Sequence, residues 1–563
     1  MQFSLVTALC VSLLACASPE SATREHAVVA SPEVTDWITA QQIPLTTVEA
    51  GNGFADLAPL VTTLGDAHVV SLGEATHGSR EFFQLKHRLI EYLVTQRGFR
   101  VLAFEAGFAE GLDVEDYVVN GRGDPARAVA GLGYWPWMTE EVLALVEWMR
   151  TYNRTHQDKV HFVGIDMQVP DRALREVLAY LRTVDPAAAA RFATSLHMAT
   201  SRYDYFTLDP DQLETLRVEA EALLAVLDAR SSSSAEWRRN RQLARVVVQA
   251  ITMLIADYTG DEVEGSNIRD AAMADNLMWI REGDPAAKIV AWAHNDHVSK
   301  GAWLPGFVSL GAHLAERLGD DLRVFGFAFD DGEFQALGAN LRLRPFTVDS
   351  GGPETVDATL AAAAAPIAIL PLIDVPAGPV ADYFATPPLH RDIGAGYLDF
   401  IPEAYFREVH VADFFDALSF VATTTRARPL IYANDQITPQ GTNPAPLDLG
   451  FETGTAGWFQ PIANAVSGYT VATSHAQPYE GKASAALIRN NQRTYGKNYG
   501  ELRQRILATG YAGKRVRLRS AVRAVLAPGA RVHMWMRAGG AYDGMHDRPI
   551  GTSVTWQAHE IVL

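Results

Sequence analysis

Short apolar runs that stop at a charged residue dominate the first half of the chain. Val69-Val70-Ser71-Leu72 leads into Gly73-Glu74-Ala75-Thr76-His77-Gly78, and Arg100-Val101-Leu102-Ala103-Phe104 stops at Glu105-Ala106-Gly107. Val160-His161-Phe162-Val163-Gly164-Ile165 stops at Asp166, and Lys288-Ile289-Val290-Ala291-Trp292-Ala293 stops at His294-Asn295-Asp296-His297. Runs of this length, bounded by turn residues, read as buried strands. Helical spacing follows the first, where Phe82, Leu85, Leu89 and Leu93 recur behind Ser79, the expected N-cap. A second stripe, Val142, Leu145, Val146 and Met149, follows Thr139. Strands alternating with helices predict an α/β fold: a mostly parallel sheet flanked by helices on both faces. Ligands of such sheets bind at the carboxyl ends of the strands, where these acids and histidines fall.

Between Asp171 and Glu282 strand signals vanish and long helical ones appear, including Ala235 to Tyr258. This predicts a helical insertion at about 171–285, with Ser231 to Ser234 as a loop inside it. Strand signals resume at Lys288, then at Leu322 to Phe329, Ile367 to Leu370 and Ala417 to Thr423, so residues 35–430 read as one unit. A stretch at 431–446, rich in Pro, Asn, Gln and Thr, reads as a linker. Beyond it the period becomes two, in Arg515 to Arg519 and Arg531 to Met536, which predicts a C-terminal antiparallel β-sandwich over 447–563. The chain stops at Glu560-Ile561-Val562-Leu563, inside a strand-like run, as a truncated sandwich would.

At 563 residues the chain is too long for one ordinary domain, and 48% hydrophobic residues suffice for a large core. A net charge of −18 argues against a nucleic-acid partner. Both cysteines, Cys10 and Cys16, lie at the N-terminus, which removes disulfides and thiolate zinc sites from the folded body. Phe3 to Ala15 form an apolar run of signal-peptide length, too short to span a bilayer. Leu13-Leu14-Ala15-Cys16 resembles a bacterial lipobox. That resemblance implies cleavage before Cys16, a lipid on its sulfur, a tether at 17–34, and export to the bacterial cell envelope. Ordinary secretory cleavage after Ala17 is the alternative, and no later segment is a membrane-span candidate.

The stretches Gly73 to Gly78, Glu105-Ala106-Gly107 and Ala293-His294-Asn295-Asp296-His297 together resemble the erythromycin esterase family. Trp137-Met138-Thr139-Glu140-Glu141, Trp148-Met149-Arg150, Gly164-Ile165-Asp166, and Arg269-Asp270 with Met273 support it, over residues 40 to 425. The resemblance implies a hydrolase of carboxylic esters or lactones, with macrolide macrolactones as the family's best-known substrates and antibiotic resistance as the matching role. It implies that His77 is the general base that activates water and that Glu74 orients it. By the same resemblance, Glu105 holds the water or raises the basicity of a histidine, and His294 and His297 polarise the carbonyl or position the water. Lys86 stands where family enzymes can carry arginine; it keeps the charge that would meet an oxyanion but loses the bidentate fork. Asp166 is expected in support, and Arg80, Glu81 and His87 at the surface or in support.

Neither Gly-x-Ser-x-Gly nor His-Glu-x-x-His occurs, which argues against a serine hydrolase and a common zinc-protease pattern. No cofactor is expected, although Glu74, His77, Glu105, His294 and His297 are ligand types that could converge on zinc or manganese in a metal-dependent hydrolase. The C-terminal stretch, with Asp448 to Glu452, Gly457-Trp458, Gly481, Lys482 and Ser484, resembles jelly-roll modules of secreted enzymes. There Trp458, Tyr469 or Trp535 could stack on carbohydrate, though each is also a plausible core residue. A non-catalytic surface lipoprotein binding glycans or peptides is the remaining alternative.

Overall fold

The computed structural model describes residues 28–430 except 201–207, 231, 260–261, 339–342 and 387, and much of 446–563. Within that last stretch, 447, 453–457, 459–468, 490–499, 505, 507, 512, 528–529, 539–540 and 546 lie outside the description. The signal-peptide and lipobox expectation, with Cys10 and Cys16, falls wholly outside the described residues, as does nearly all of the expected linker. The chain divides into two compact units, Met1–Thr438 and Pro439–Leu563.

In the first unit a nine-stranded sheet contains β1 (Ile43–Pro44), β2 (Val69–Leu72), β3 (Val101–Gly107), β4 (His161–Asp166), β5 (Ile289–Trp292), β6 (Leu322–Leu337), β7 (Leu343–Val348), β8 (Ile367–Pro371) and β11 (Ala417–Thr424). Two short strands, β9 (Leu389–Arg391) and β10 (Phe406–Glu408), pair with each other off the sheet. The order is β1-β8-β11-β6-β2-β5-β3-β4, with β7 on the far half of β6. The six strands from β11 to β4 run parallel, while β1, β7 and β8 pair antiparallel. The sequence predicts β6 to end at Phe329. It continues to Leu337 through the polar stretch Asp330 to Glu333, because Gly332 to Leu337 pair antiparallel with β7.

Alternation along the parallel strands explains why they read as unbroken apolar runs. Val70, Leu72, Leu102, Phe104, Val290 and Trp292 enter one core. Val69, Ala103, Ile289 and Ala291 enter another on the opposite face. The helix Arg80–Arg97 covers the first face with Phe82, Phe83, Leu85, Leu89 and Leu93. Ser79 holds its N-cap position in extended conformation, but the hydroxyl makes no capping bond, contrary to the sequence expectation. Instead the Arg80 amide donates to the Thr425 carbonyl. Thr139 does cap its helix, Glu140–Thr155, by accepting from the Val142 amide at 3.2 Å.

Between β4 and β5 run the helices Asp171–Val184, Pro186–Ser195, Pro210–Asp228, Ala235–Thr259 and Glu262–Gly283. Leu178, Phe192, Leu223, Val247 and neighbours give the first four a core of their own, which reaches Phe108 and Met167 just past β3 and β4. The helical segment is thereby seated at the carboxyl end of the sheet.

The second unit carries antiparallel strand pairs: Tyr469–Ser474 with Ser484–Arg489, Arg517–Ala524 with Ser553–Val562, and Met536–Ala538 with Ala541–Asp543. The strand expected over Arg531 to Met536 is interrupted; Val532 makes only an isolated bridge to Ile550. Trp458, read from sequence as either a sugar-stacking or a core aromatic, donates to the Asp448 carbonyl and packs on Phe451.

Candidate active site

Leu72, Trp292 and Phe104 stand directly opposite one another across β2, β5 and β3, and Gly164 of β4 continues the row beside Phe104. Residues one or two positions beyond this row therefore emerge side by side. Glu74, His294, Glu105 and Asp166 are those residues, collected from four places in the sequence by an in-register parallel ladder with strands about 4.8 Å apart.

The turn after β2 is packed too closely for larger residues at its glycines. A Cβ on Gly78 would stand 1.9 Å from the Gln335 carbonyl oxygen, and one on Gly73 would stand 2.2 Å from Asn295 Oδ1. Asn295 itself is tied to β6 by donating to and accepting from Phe327, and its amide donates to the Glu74 carbonyl. The turn is thus clamped between β5 and β6.

Glu74 is fully buried and divides its carboxylate among three partners. Oε1 accepts from His77 Nδ1 at 2.6 Å; Oε2 accepts from Lys86 Nζ at 2.5 Å and from Trp292 Nε1 at 3.1 Å. Burial would raise its pKa, but Lys86 and His77 outweigh burial and hold it below the ordinary range. An ionised carboxylate only accepts, so Nδ1 carries the proton and the free electron pair of neutral His77 lies on Nε2. Burial lowers the His77 pKa, opposed by Glu74 and assisted by the nearby His294 ring, so His77 is unprotonated at neutral pH. Trp137 and Trp135 stand edge-on to its ring, at 5.7 and 6.4 Å.

Lys86 departs from the sequence expectation. It has no exposed surface, sits 4.3 Å from the Trp292 ring centre and is bonded to Glu74. Burial pulls its pKa down to about 8 against the pull of Glu74. Its ammonium lies beneath Glu74, too deep to meet an oxyanion directly; it fixes the carboxylate that fixes His77. His87, expected at the surface or in support, is also buried, beside Trp148.

A second network occupies the β3, β4 and β5 ends. Arg269 binds Asp166 through Nε at 3.2 Å and Nη2 at 2.7 Å, Glu105 Oε1 at 2.7 Å and His297 Nε2 at 2.9 Å. Glu105 Oε2 accepts the His294 amide at 3.0 Å. Burial would raise the Glu105 pKa, but His297, Arg269 and His77 hold it far below the carboxylate range. His297 Nδ1 donates to Asp270 at 2.9 Å. Burial would lower the His297 pKa, but Asp270 and Glu105 outweigh it and push it up, whereas the Arg269 contact requires Nε2 unprotonated. Nε2 also lies 3.4 Å from Glu105 Oε1, an acceptor for it when the ring is protonated.

All six residues expected in the site from sequence thus lie at this end of the sheet. Arg269, Asp270 and Asp392 were missed as site members. Arg269 and Asp270 come from the helix Glu262–Gly283, and only their adjacency in the motif Arg269-Asp270 could have flagged them. His294 also differs from expectation, because both of its nitrogens face protein groups: Nε2 donates to the Ile393 carbonyl at 3.1 Å, and Nδ1 faces Asp296 and Asp392. A shared zinc or manganese ion fits the five Glu and His residues poorly, since Glu74 and Glu105 already pair with Lys86 and Arg269, two cations that a divalent ion would have to displace.

A family model described as erythromycin esterase matches residues 94–424, more than half of the chain. The chain belongs to the erythromycin esterase family. Erythromycin esterase type II of Escherichia coli is 27% identical to this family member over 335 residues, covering 54% of this chain and 78% of that one. A solved structure of a Bacillus cereus protein superposes with a TM-score of 0.65 at 25% identity, covering 70% of this chain and 98% of that one. A mutant of the erythromycin esterase EreC in its open conformation gives a TM-score of 0.53 at 18% identity, covering 66% and 94%, a likeness of fold alone. The family relationship supports hydrolase activity for this esterase-family chain.

Proposed function

We propose that this chain hydrolyses a carboxylic ester or lactone with water that His77 activates, and that it does so without a metal ion or a covalent enzyme intermediate. The observation that carries the reading is the buried Lys86–Glu74–His77 chain, which leaves Nε2 of a neutral imidazole as the free base. Water attacks the carbonyl carbon as its proton passes to Nε2. The tetrahedral oxyanion then collapses and expels an alkoxide, which takes the proton back from His77. The products are an acid and an alcohol, joined in one molecule when the substrate is a lactone. Arg269, held charged beside Asp166 and Glu105, supplies positive charge toward which the oxyanion can develop.

A macrolide macrolactone is the first substrate to test, given the Escherichia coli type II relative. We place the protein outside the cytoplasm, held by a lipid on Cys16, on the strength of its N-terminal sequence. The test is mass spectrometry of macrolides and simpler lactones incubated with purified protein, which should show the gain of one water. No such gain with any lactone or ester would overturn the reading.

The pH dependence follows from two groups. His77 must be unprotonated, and its pKa lies below the ordinary 6.5, so the acid limb of kcat/KM has its midpoint below that pH. Lys86 must be protonated to hold Glu74, so kcat/KM falls above about 8. A bell spanning these limits is the expected profile, and a plateau extending unchanged through pH 10 would contradict the role given to Lys86.

A further inference from the structure

The positive charge of this chain is gathered in its second unit. The whole sequence carries 48 Lys and Arg against 66 Asp and Glu, yet residues 439–563 hold 14 Lys and Arg against 7 Asp and Glu. The +7 of that unit, set against −18 for the whole chain, leaves −25 on residues 1–438.

Part of the positive charge lies on one face of the ribbon made by Arg517–Ala524 and Ser553–Val562. Period-two alternation sorts its residues. Leu518, Val522 and, across the pair, Ile561 turn into a small core with Met534, Met545 and Ile550. Arg517, Arg519, Ala521 and Arg523 therefore fall on the outer face, where Glu560 stands opposite Arg519 and Ala558 opposite Ala521. The Arg517 and Arg519 side chains are 61% and 66% exposed and share the one carboxylate of Glu560, at 3.8 and 3.6 Å. Ion pairs so long and so exposed hold weakly, so both guanidinium groups stay open to another anion.

At the other end of the face, Arg523 has no carboxylate partner among the described residues. It donates to Gln477 Oε1 at 3.1 Å and to the Ala476 carbonyl at 3.0 Å, and it stands over the Trp556 ring at 5.1 Å. Trp556 is held in place by donating Nε1 to the Gln477 carbonyl at 2.9 Å, and the exposed Tyr479 meets it edge-on. Ala521 and Ala558 leave a shallow floor between the two ends. From Arg517 to Arg523 the face runs about 20 Å at the rise of a strand.

We propose that this outer face binds an acidic polysaccharide, one whose sugars carry carboxylates. Such a ligand uses every part of the face. The C–H side of a sugar ring lies on an exposed aromatic, and its carboxylates accept from the guanidinium groups. Arginines separated by alanine suit a polymer whose charges are also spaced. A polynucleotide carries a charge on every unit, so the −25 on the rest of the chain opposes it more strongly. A bilayer binds through buried apolar area as well as charge, and the exposed aliphatic side chains here are two valines, Val525 and Val554, at one end of the ribbon. The site uses other aromatics than Trp458, Tyr469 and Trp535, and it stands apart from the hydrolase reading.

The test is affinity electrophoresis of the full chain in gels cast with polygalacturonate, with neutral dextran as the control. Polygalacturonate should retard the wild type and dextran should not, and the retardation should fade as salt screens the exposed charges. Arg519→Glu, at an exposed position, should weaken binding about tenfold with circular dichroism unchanged, which separates a lost contact from a lost fold. Trp556→Ala should weaken it by a similar factor. No retardation by polygalacturonate, or equal retardation of the wild type and Arg519→Glu, overturns the proposal. So does tighter binding to phosphatidylglycerol vesicles or to a single-stranded oligonucleotide, which would assign the face to a bilayer or to nucleic acid.

Discussion

Replacing His77 by alanine should lower kcat by about a thousandfold while leaving the fold intact. His77 lies at the mouth of its network, 8% exposed, and its ring hydrogen-bonds to Glu74. Removing it leaves Glu74 still paired with Lys86 and Trp292. The unfolding transition should therefore move little, and circular dichroism should be unchanged. His77→Gln refines the test, since an amide can still donate to Glu74 but cannot take a proton from water. Equal losses in the two variants would assign the effect to proton transfer. Turnover within tenfold of wild type in His77→Gln would mean that another group is the base.

Replacing Lys86 by methionine should have the largest effect on stability. Lys86→Met keeps much of the length and apolar contact with Trp292 and Phe327, but leaves Glu74 without the cation that balances it. Breaking a buried ion pair from one side costs roughly 3–5 kcal/mol, because the surviving charge remains buried. Chemical denaturation at pH 7 measures this. The sign with pH follows from Glu74, whose folded pKa is depressed in the wild type. The wild-type pair contributes stability above the unfolded carboxylate value of 4.5 and loses it as pH falls below that value. In Lys86→Met the buried Glu74 takes up a proton more readily, so the deficit against wild type should shrink on acidification. The double variant Glu74→Gln with Lys86→Met should recover part of the loss, and simple additivity of the two single effects would show that the pair is not coupled. Lys86→Arg keeps the charge, at a packing cost of about 1–3 kcal/mol for the larger group in a closed cage.

These two results separate roles that the sequence merges. Glu74, His77 and Lys86 all lie within one turn and the start of one helix, and residue types alone make each of them a candidate for contact with substrate. Burial divides them: His77 reaches the surface of the site, whereas Glu74 and Lys86 have no exposure. Their order as base, orienting carboxylate and supporting cation is a matter of depth, and depth depends on the Trp292 and Phe327 side chains contributed by β5 and β6.

The same contrast holds for the fold. Local physical chemistry determined the strands, because runs such as Val69 to Leu72 and Ile289 to Trp292 are buried on both faces and are apolar at every position but Ser71. It also determined which residues terminate them, hence Glu74, Glu105, Asp166, His294 and His297. Periodicity found the helix Ala235–Thr259, since its own stripe drives its packing. Only the tertiary structure decided that β5 lies between β2 and β3, which turns four separate strand ends into one row. Only it brought Arg269, Asp270 and Asp392 to that row, from a helix and from a segment joined to the motif turn through Ile393. The physical reason is that periodicity records which face of an element is buried, whereas a charged residue is admitted to the interior by an opposite charge that can come from anywhere in the chain.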